Sequence, residues 1–262
     1  MANQRGFFRT VRTFILLVIL LAVAGETWLS KWRTTEWDRP LWVTVYPINA
    51  DGSLRVRQYI DQLQDRSFAP LETFFNAEAK RYRLSEQQPF SIRLGPVLEQ
   101  APPVPPTDGN RLMTALWSLQ MRFWAWTTVR ETDGPPATIT LFVKYYDPAL
   151  VDTLPHSLGL QKGLLGVVNA FAARSYRGQN QVVMAHELLH TVGATDKYDP
   201  ATTRPSYPEG YAEPDRSPRY PQRLAELMGG RIPLSPQRAE MPRSLQRCLI
   251  GETTAREIGW ED

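Results

Sequence analysis

Gln179-Asn180-Gln181-Val182-Val183-Met184-Ala185-His186-Glu187-Leu188-Leu189-His190-Thr191-Val192-Gly193-Ala194-Thr195-Asp196 decides how the rest of the chain is read. Residues 179–192 carry apolar groups at helical spacing, and Gly193 follows where a C-terminal cap belongs, so a helix is expected. His186 and His190 stand four apart, one above the other on the same face, and both imidazoles can reach one ion. Neutral imidazole is a standard zinc ligand. Glu187 lies about 100° further round the axis, where it can meet a metal-bound water without binding the metal. The neighbours Val182, Val183, Leu188 and Leu189 predict a mostly buried helix. Two histidines and a glutamate are costly there unless something charged or polar satisfies them, and a metal does. The alternative is a chance pattern on an amphipathic helix; with three histidines in the chain its odds are on the order of one in a thousand.

Two ligands make a poor site, so a third donor is needed. Gly193 lies three residues after His190 and can take a left-handed turn that ends the helix and doubles the chain back. Asp196, six after His190, then arrives from that turn; a carboxylate oxygen ligates zinc at a distance similar to imidazole. The rivals are Asp199, if the turn is looser, and Glu209, Glu213 and Glu226 further on. Pro208 and Pro214 argue against the helix that would present Glu209 as a ligand. His156, in a proline-containing loop, reads as an ordinary surface histidine.

The stretch from His186 to Asp196 resembles the extended metzincin signature, with aspartate in place of the usual third histidine, as in the snapalysin-like and immune-inhibitor-like branches. Asp196-Lys197-Tyr198 also looks like those branches. Leu227-Met228-Gly229-Gly230, after Ala225-Glu226, is similar to the methionine turn that floors the metal in that family; Met228 falls 38 residues after His190. Gly230 occupies the place of the tyrosine ligand of some metzincins, which leaves the metal alone, Tyr198, Tyr207 or Tyr211 to stabilise an oxyanion. The resemblance covers residues 179–230 by motif. It implies a Zn2+-dependent endopeptidase with His186, His190 and Asp196 as metal ligands and Glu187 as general base. It also implies that the strand at 166–172 corresponds to the family's edge strand, on which an extended peptide substrate pairs.

Outward from this segment, residues 41–49 alternate like a strand, and 54–83 show helical spacing that Pro70 breaks or kinks. A second strand is expected at 89–98, a proline-rich surface loop at 101–109 and a third strand at 137–146. In the helix expected at 111–129, Leu112, Leu116, Leu119 and Phe123 form a stripe, with Trp117 and Trp124 beside it, that reads as core packing on a sheet. Nine prolines between 199 and 242 predict an irregular subdomain, and 244–259 a closing helix. The fold class expected is α/β (α+β): a metzincin-like zincin sandwich with a mixed sheet, an active-site helix and a loop-rich C-terminal part. The expected divisions are an N-terminal signal-anchor or signal peptide at 1–33, a catalytic subdomain at 34–193 and a C-terminal subdomain at 194–262.

The net charge of +3 is local. Residues 1–33 hold five basic side chains against Glu26, a net of +4, so the remainder is at −1. No basic face for nucleic acid is implied. The single cysteine, Cys248, excludes an internal disulfide framework and reads as a small buried hydrophobe. Residues 14–25 are an apolar run behind Arg5, Arg9 and Arg12, an export signal with its positive end in the cytoplasm. As an anchor it would span about Thr13 to Leu29, with Trp28, Trp32 and Trp37 as an interfacial belt unless they pack on the domain. As a cleaved signal, Ala22-Val23-Ala24 would be the processing site. Either way the bulk of the chain is expected outside the cytoplasm. Two other functions fit the motif: a non-catalytic, membrane-tethered zinc-binding scaffold, and a metal hydrolase of non-peptide substrates.

Overall fold

Leu41–Asn49 forms β1, the strand around which the sheet is built. The structure is a computed structural model that describes residues 37–106, 110–131, 136–161 and 163–261. β1 is flanked by β2 (Phe90–Leu94) and β3 (Ile139–Tyr146), both parallel to it. β5 (Leu165–Phe171) pairs parallel to β3, and the short β4 (Leu158–Leu160) closes the sheet antiparallel to β5. The order is β2-β1-β3-β5-β4, a mixed sheet in an α+β protein. Its inner strands are buried on both faces, as parallel strands with helices on either side must be.

One face packs on α1 (Leu54–Ile60), α2 (Ala69–Arg81) and α4 (Arg177–Thr191). The core there joins Val43, Val45, Leu141 and Val143 of the sheet to Phe75, Leu188 and Leu189 of the helices. Full burial of such a side chain contributes about 1.5–3 kcal/mol. The same core continues into Ala225, Met228, Ile250 and Trp260. Thus the residues after 194, though mostly turns and two-residue strands, pack on the sheet domain's own interior. The other face is covered by α3 (Arg111–Glu131), through Trp117, Met121 and Ala125 on Tyr46, Ile48 and Phe142. Pro70 sits in the first turn of α2, where its missing N–H costs nothing, and the break falls in the preceding turn at Asp65–Ser67.

Four expectations are corrected. Residues 166–172 do not form the edge: β5 lies between β3 and β4, and the edge strand on that side of the sheet is β4. The stripe Leu112, Leu116, Leu119 and Phe123 faces outward, because α3 is apolar on both sides and the face bearing Trp117 and Met121 took the sheet. Only Glu252–Glu257 of the 244–259 segment is α-helix, here α5. Before it, Cys248–Leu249 pair as a strand with Ala225–Glu226. Trp37 is no belt residue: it is buried edge-on against Phe90 and Trp260, and its indole N–H donates to the Ile258 carbonyl at 2.7 Å. Trp28, Trp32 and the whole 1–33 segment lie outside the described residues. No helix among the described residues is long and apolar enough to cross a membrane.

Candidate metal centre

α4 is fixed on the sheet before it presents any chemistry. The Asn180 side chain takes the Phe171 N–H at 3.1 Å and donates to the Phe171 carbonyl at 2.9 Å, which ties the first turn of α4 to the end of β5. At the other end, Gly193 N–H bonds to the His190 carbonyl and Ala194 N–H to the Leu189 carbonyl. That pair of bonds is the Schellman ending, which needs a left-handed residue, and Gly193 supplies it at φ +113°. The turn reverses the chain and brings Asp196 back over the helix face.

His186 Nε2 and His190 Nε2 stand 3.1 Å apart, and Asp196 Oδ1 lies 3.0 and 3.1 Å from them. The ring nitrogens on the far side are committed. His186 Nδ1 is 2.9 Å from the Leu227 carbonyl and His190 Nδ1 is 2.8 Å from the Ala194 carbonyl. A carbonyl only accepts, so each ring carries its proton on Nδ1, and both Nε2 lone pairs point at Asp196 and at each other. Three acceptors at about 3 Å repel unless a proton or a cation sits among them. The donor set of two imidazoles, each oriented by an outer carbonyl, and one carboxylate fits a divalent transition metal, zinc included. Among the described residues this is the group of His, Cys, Asp and Glu that converges closely enough to hold an ion.

Electrostatics report the same demand for positive charge. Burial pulls the His186 imidazole down, but a second proton on the ring would bond to Asp196 and meet the Glu187 charge, which with the Leu227 carbonyl outweighs burial and raises its pKa. Burial pushes the Asp196 carboxyl up, yet the bonds that protonated His186 and His190 would give it hold it below the usual carboxylate range. Glu187 is raised by burial, against the pull of the two histidines. Its Oε2 is buried and has no hydrogen-bond partner. An orphaned carboxylate oxygen inside a protein calls for an explanation.

The expected rivals are elsewhere or otherwise engaged. Asp199 accepts from the Ala201 N–H at 2.7 Å, Glu213 pairs with Arg216, and Glu209 and His156 are exposed outside the cluster. Glu226 is fully buried and serves the turn at Leu227–Gly229: it accepts from Gly229 N–H, Gly251 N–H and the Thr254 hydroxyl at 2.7, 3.1 and 2.8 Å. Met228 is buried in that turn, whose Leu227 carbonyl orients His186. Of the three tyrosines, Tyr198 reaches the cluster. Its ring is 6.2 Å from that of His186, and burial and the Asp196 and Glu187 charges push its hydroxyl up to about 12. Tyr211 bonds to Tyr220, and Tyr207 lies under Arg219.

Two features have no local signal in the sequence. Lys197 is buried, and its ammonium donates to the Thr195 carbonyl, the Thr195 hydroxyl and Glu257 at 2.7, 2.8 and 2.7 Å. Its own N–H donates to the Met228 carbonyl at 2.9 Å, so the turn bearing Asp196 is clamped between α5 and the turn at Leu227–Gly229. Gly159 of β4 lies against α4 beside His190. Comparison of the chain with known protein families and with curated proteins finds no match.

Proposed function

We propose that the protein is a zinc-dependent endopeptidase of the metzincin type, acting outside the cytoplasm, with His186, His190 and Asp196 as the metal ligands and Glu187 as the general base. The observation that carries the reading is the buried, unpartnered Glu187 Oε2 beside three convergent donor atoms. A purely structural zinc site takes four protein ligands and has no use for a buried carboxylate with one oxygen left unpartnered. That favours catalysis over a metal-holding scaffold.

Zinc bound there would supply Lewis acidity, polarising a carbonyl and lowering the pKa of water to about 7. Glu187, its proton affinity raised by burial, is suited to take a proton from the attacking water and pass it to the departing amine. Tyr198, protonated at neutral pH, would donate a hydrogen bond to the developing oxyanion, a role supported by its ring lying 6.2 Å from that of His186. The edge strand β4 has β5 on one side only. Its other side offers backbone groups on which an extended peptide can pair beside the helix that carries Glu187. This pairing is what separates a peptidase from a hydrolase of other substrates.

Glu187→Gln tests the assignment. It keeps the size of the side chain and removes the base, so zinc content should stay at one per chain while peptide hydrolysis falls by about 10²–10⁴-fold. Cleavage of a peptide library at the parent's rate by the Gln variant would defeat the role given to Glu187. Tight zinc with no cleavage by the parent would favour the scaffold.

A further inference from the structure

α3 carries a second apolar face that nothing in the described structure covers. Leu112, Met113, Leu116, Leu119, Phe123 and Trp126 are each 47–67% exposed. At 100° per residue, five of them (all but Met113) fall in one stripe opposite the face that packs on the sheet. Beside the stripe lies a groove of about 920 Å³, walled by Phe123, Trp126 and Val129 on the helix and by Ala137, Thr138 and Leu165 on the sheet. A stripe and groove of large apolar groups on this scale mark an interaction site.

How the face is charged says what covers it. The groove opens at the N-terminal ends of β3 and β5. Thr138, on its wall, donates its N–H to the Trp42 carbonyl at 2.8 Å. Trp42 is 40% exposed and alternates onto the same face of β1 as Tyr46 and Ile48, the face under α3. Trp37 packs on the opposite face of the sheet, against Phe90 and Trp260, and residues 1–36 precede it in the chain. They contain the apolar run 14–25, and the eleven residues between Gly25 and Trp37 reach at most about 40 Å. The ionised groups that line the groove are Arg122 and Arg130, with no carboxylate among its described lining residues. A second copy would bring the same arginines, and the stretch before the apolar run brings Arg5, Arg9 and Arg12. Each repels where an anionic surface attracts. α3 itself is not apolar enough to span a bilayer, so its geometry is that of a helix lying flat, with its apolar side sunk among headgroups.

We propose that α3 and its groove are a membrane-docking surface for an anionic lipid bilayer, so that the domain lies on the membrane through this face. The proposal does not rest on the peptidase reading.

Site-directed spin labelling of the full chain in vesicles tests it. A nitroxide at Phe123→Cys is compared with one at Leu150→Cys, an exposed site beyond the opposite end of β3. Cys248 stays in place, since its thiol is buried. In vesicles of phosphatidylcholine with one-third phosphatidylglycerol, the 123 label should collide several-fold more with oxygen than with a water-soluble nickel chelate, and the 150 label the reverse. In phosphatidylcholine alone that preference should fall at least twofold. Leu116→Cys repeats the reading if the Phe123 variant does not fold. Chelate access at 123 equal to that at 150 overturns the proposal. So does shielding of 123 from both reagents, which would mean cover by residues 1–36 or by a second copy. Equal immersion in neutral and anionic vesicles overturns the lipid assignment.

Discussion

Gly159, the middle residue of β4, lies against Glu187: a Cβ built at 159 would stand 2.5 Å from the Glu187 carbonyl oxygen and 2.4 Å from the His190 Cβ. The edge strand and the helix bearing the cluster touch through a missing side chain. Neither neighbour is a flexible tip that can swing aside. Gly159→Ala should therefore force β4 from α4 at the cost of overpacking, about 1–3 kcal/mol. Thermal unfolding should show Tm several degrees lower, with weaker zinc binding in a chelator competition. Unchanged values for both would mean that the contact is not made.

Asp196→Asn keeps the shape of the third donor and removes its charge. Zinc affinity should drop at least about tenfold, or 1.4 kcal/mol, measured against a chromophoric chelator. Asp199→Asn is the control, since that carboxylate serves the Ala201 amide, and its zinc affinity should match the parent's. A reversed order would move the ligand to 199.

Gly193 holds φ at +113°, and a Cβ there would also meet Gln161 Nε2 at 2.8 Å. Gly52 has φ +73° with open space around it. Both alanine variants bear backbone strain of about 1–2 kcal/mol, visible as lowered Tm. Only Gly193→Ala should also weaken zinc, because only that turn aims Asp196 at the histidines.

The Glu257 carboxyl is pushed up by burial, but the bonds from Lys197 and Thr195 win and lower its pKa below the ordinary 4.5. A carboxyl depressed on folding adds stability that is fully present above its unfolded value and is lost as pH falls through the folded one. Glu257→Gln should thus lower Tm at pH 7, and the gap from the parent should close as pH is taken below 4.5. A gap that stays constant from pH 7 to pH 3 would show that the Lys197–Glu257 pair does not couple to folding.

Legibility tracks the range of the interactions. β1 occupies the residues that alternation marks, 41–49, and α4 starts and ends within two residues of the periodic stretch 179–192. β4 has three residues, too few to show any period. Without it the role of edge fell to 166–172, where the structure has the inner strand β5. In α3 the period is plain and the orientation is not: Trp117 and Met121 or Leu116 and Phe123 could equally have met the sheet. The irregular course of 199–242 follows from its prolines, but its seat on the core does not.

The sequence by itself determined which groups meet at the centre. His186 and His190 are four apart on a helix, and Gly193 alone allows the turn that returns Asp196, all within eleven residues of chain. Only the tertiary structure decided which nitrogens are left to bind: the Leu227 carbonyl takes the His186 Nδ1 proton from 41 residues away. Likewise Glu257 holds the Asp196 turn through Lys197 from 60 away. Local geometry is set by backbone sterics between near neighbours. Contacts between distant segments exist only once the burial of a shared core has closed the intervening loops, and no short stretch of residues encodes that.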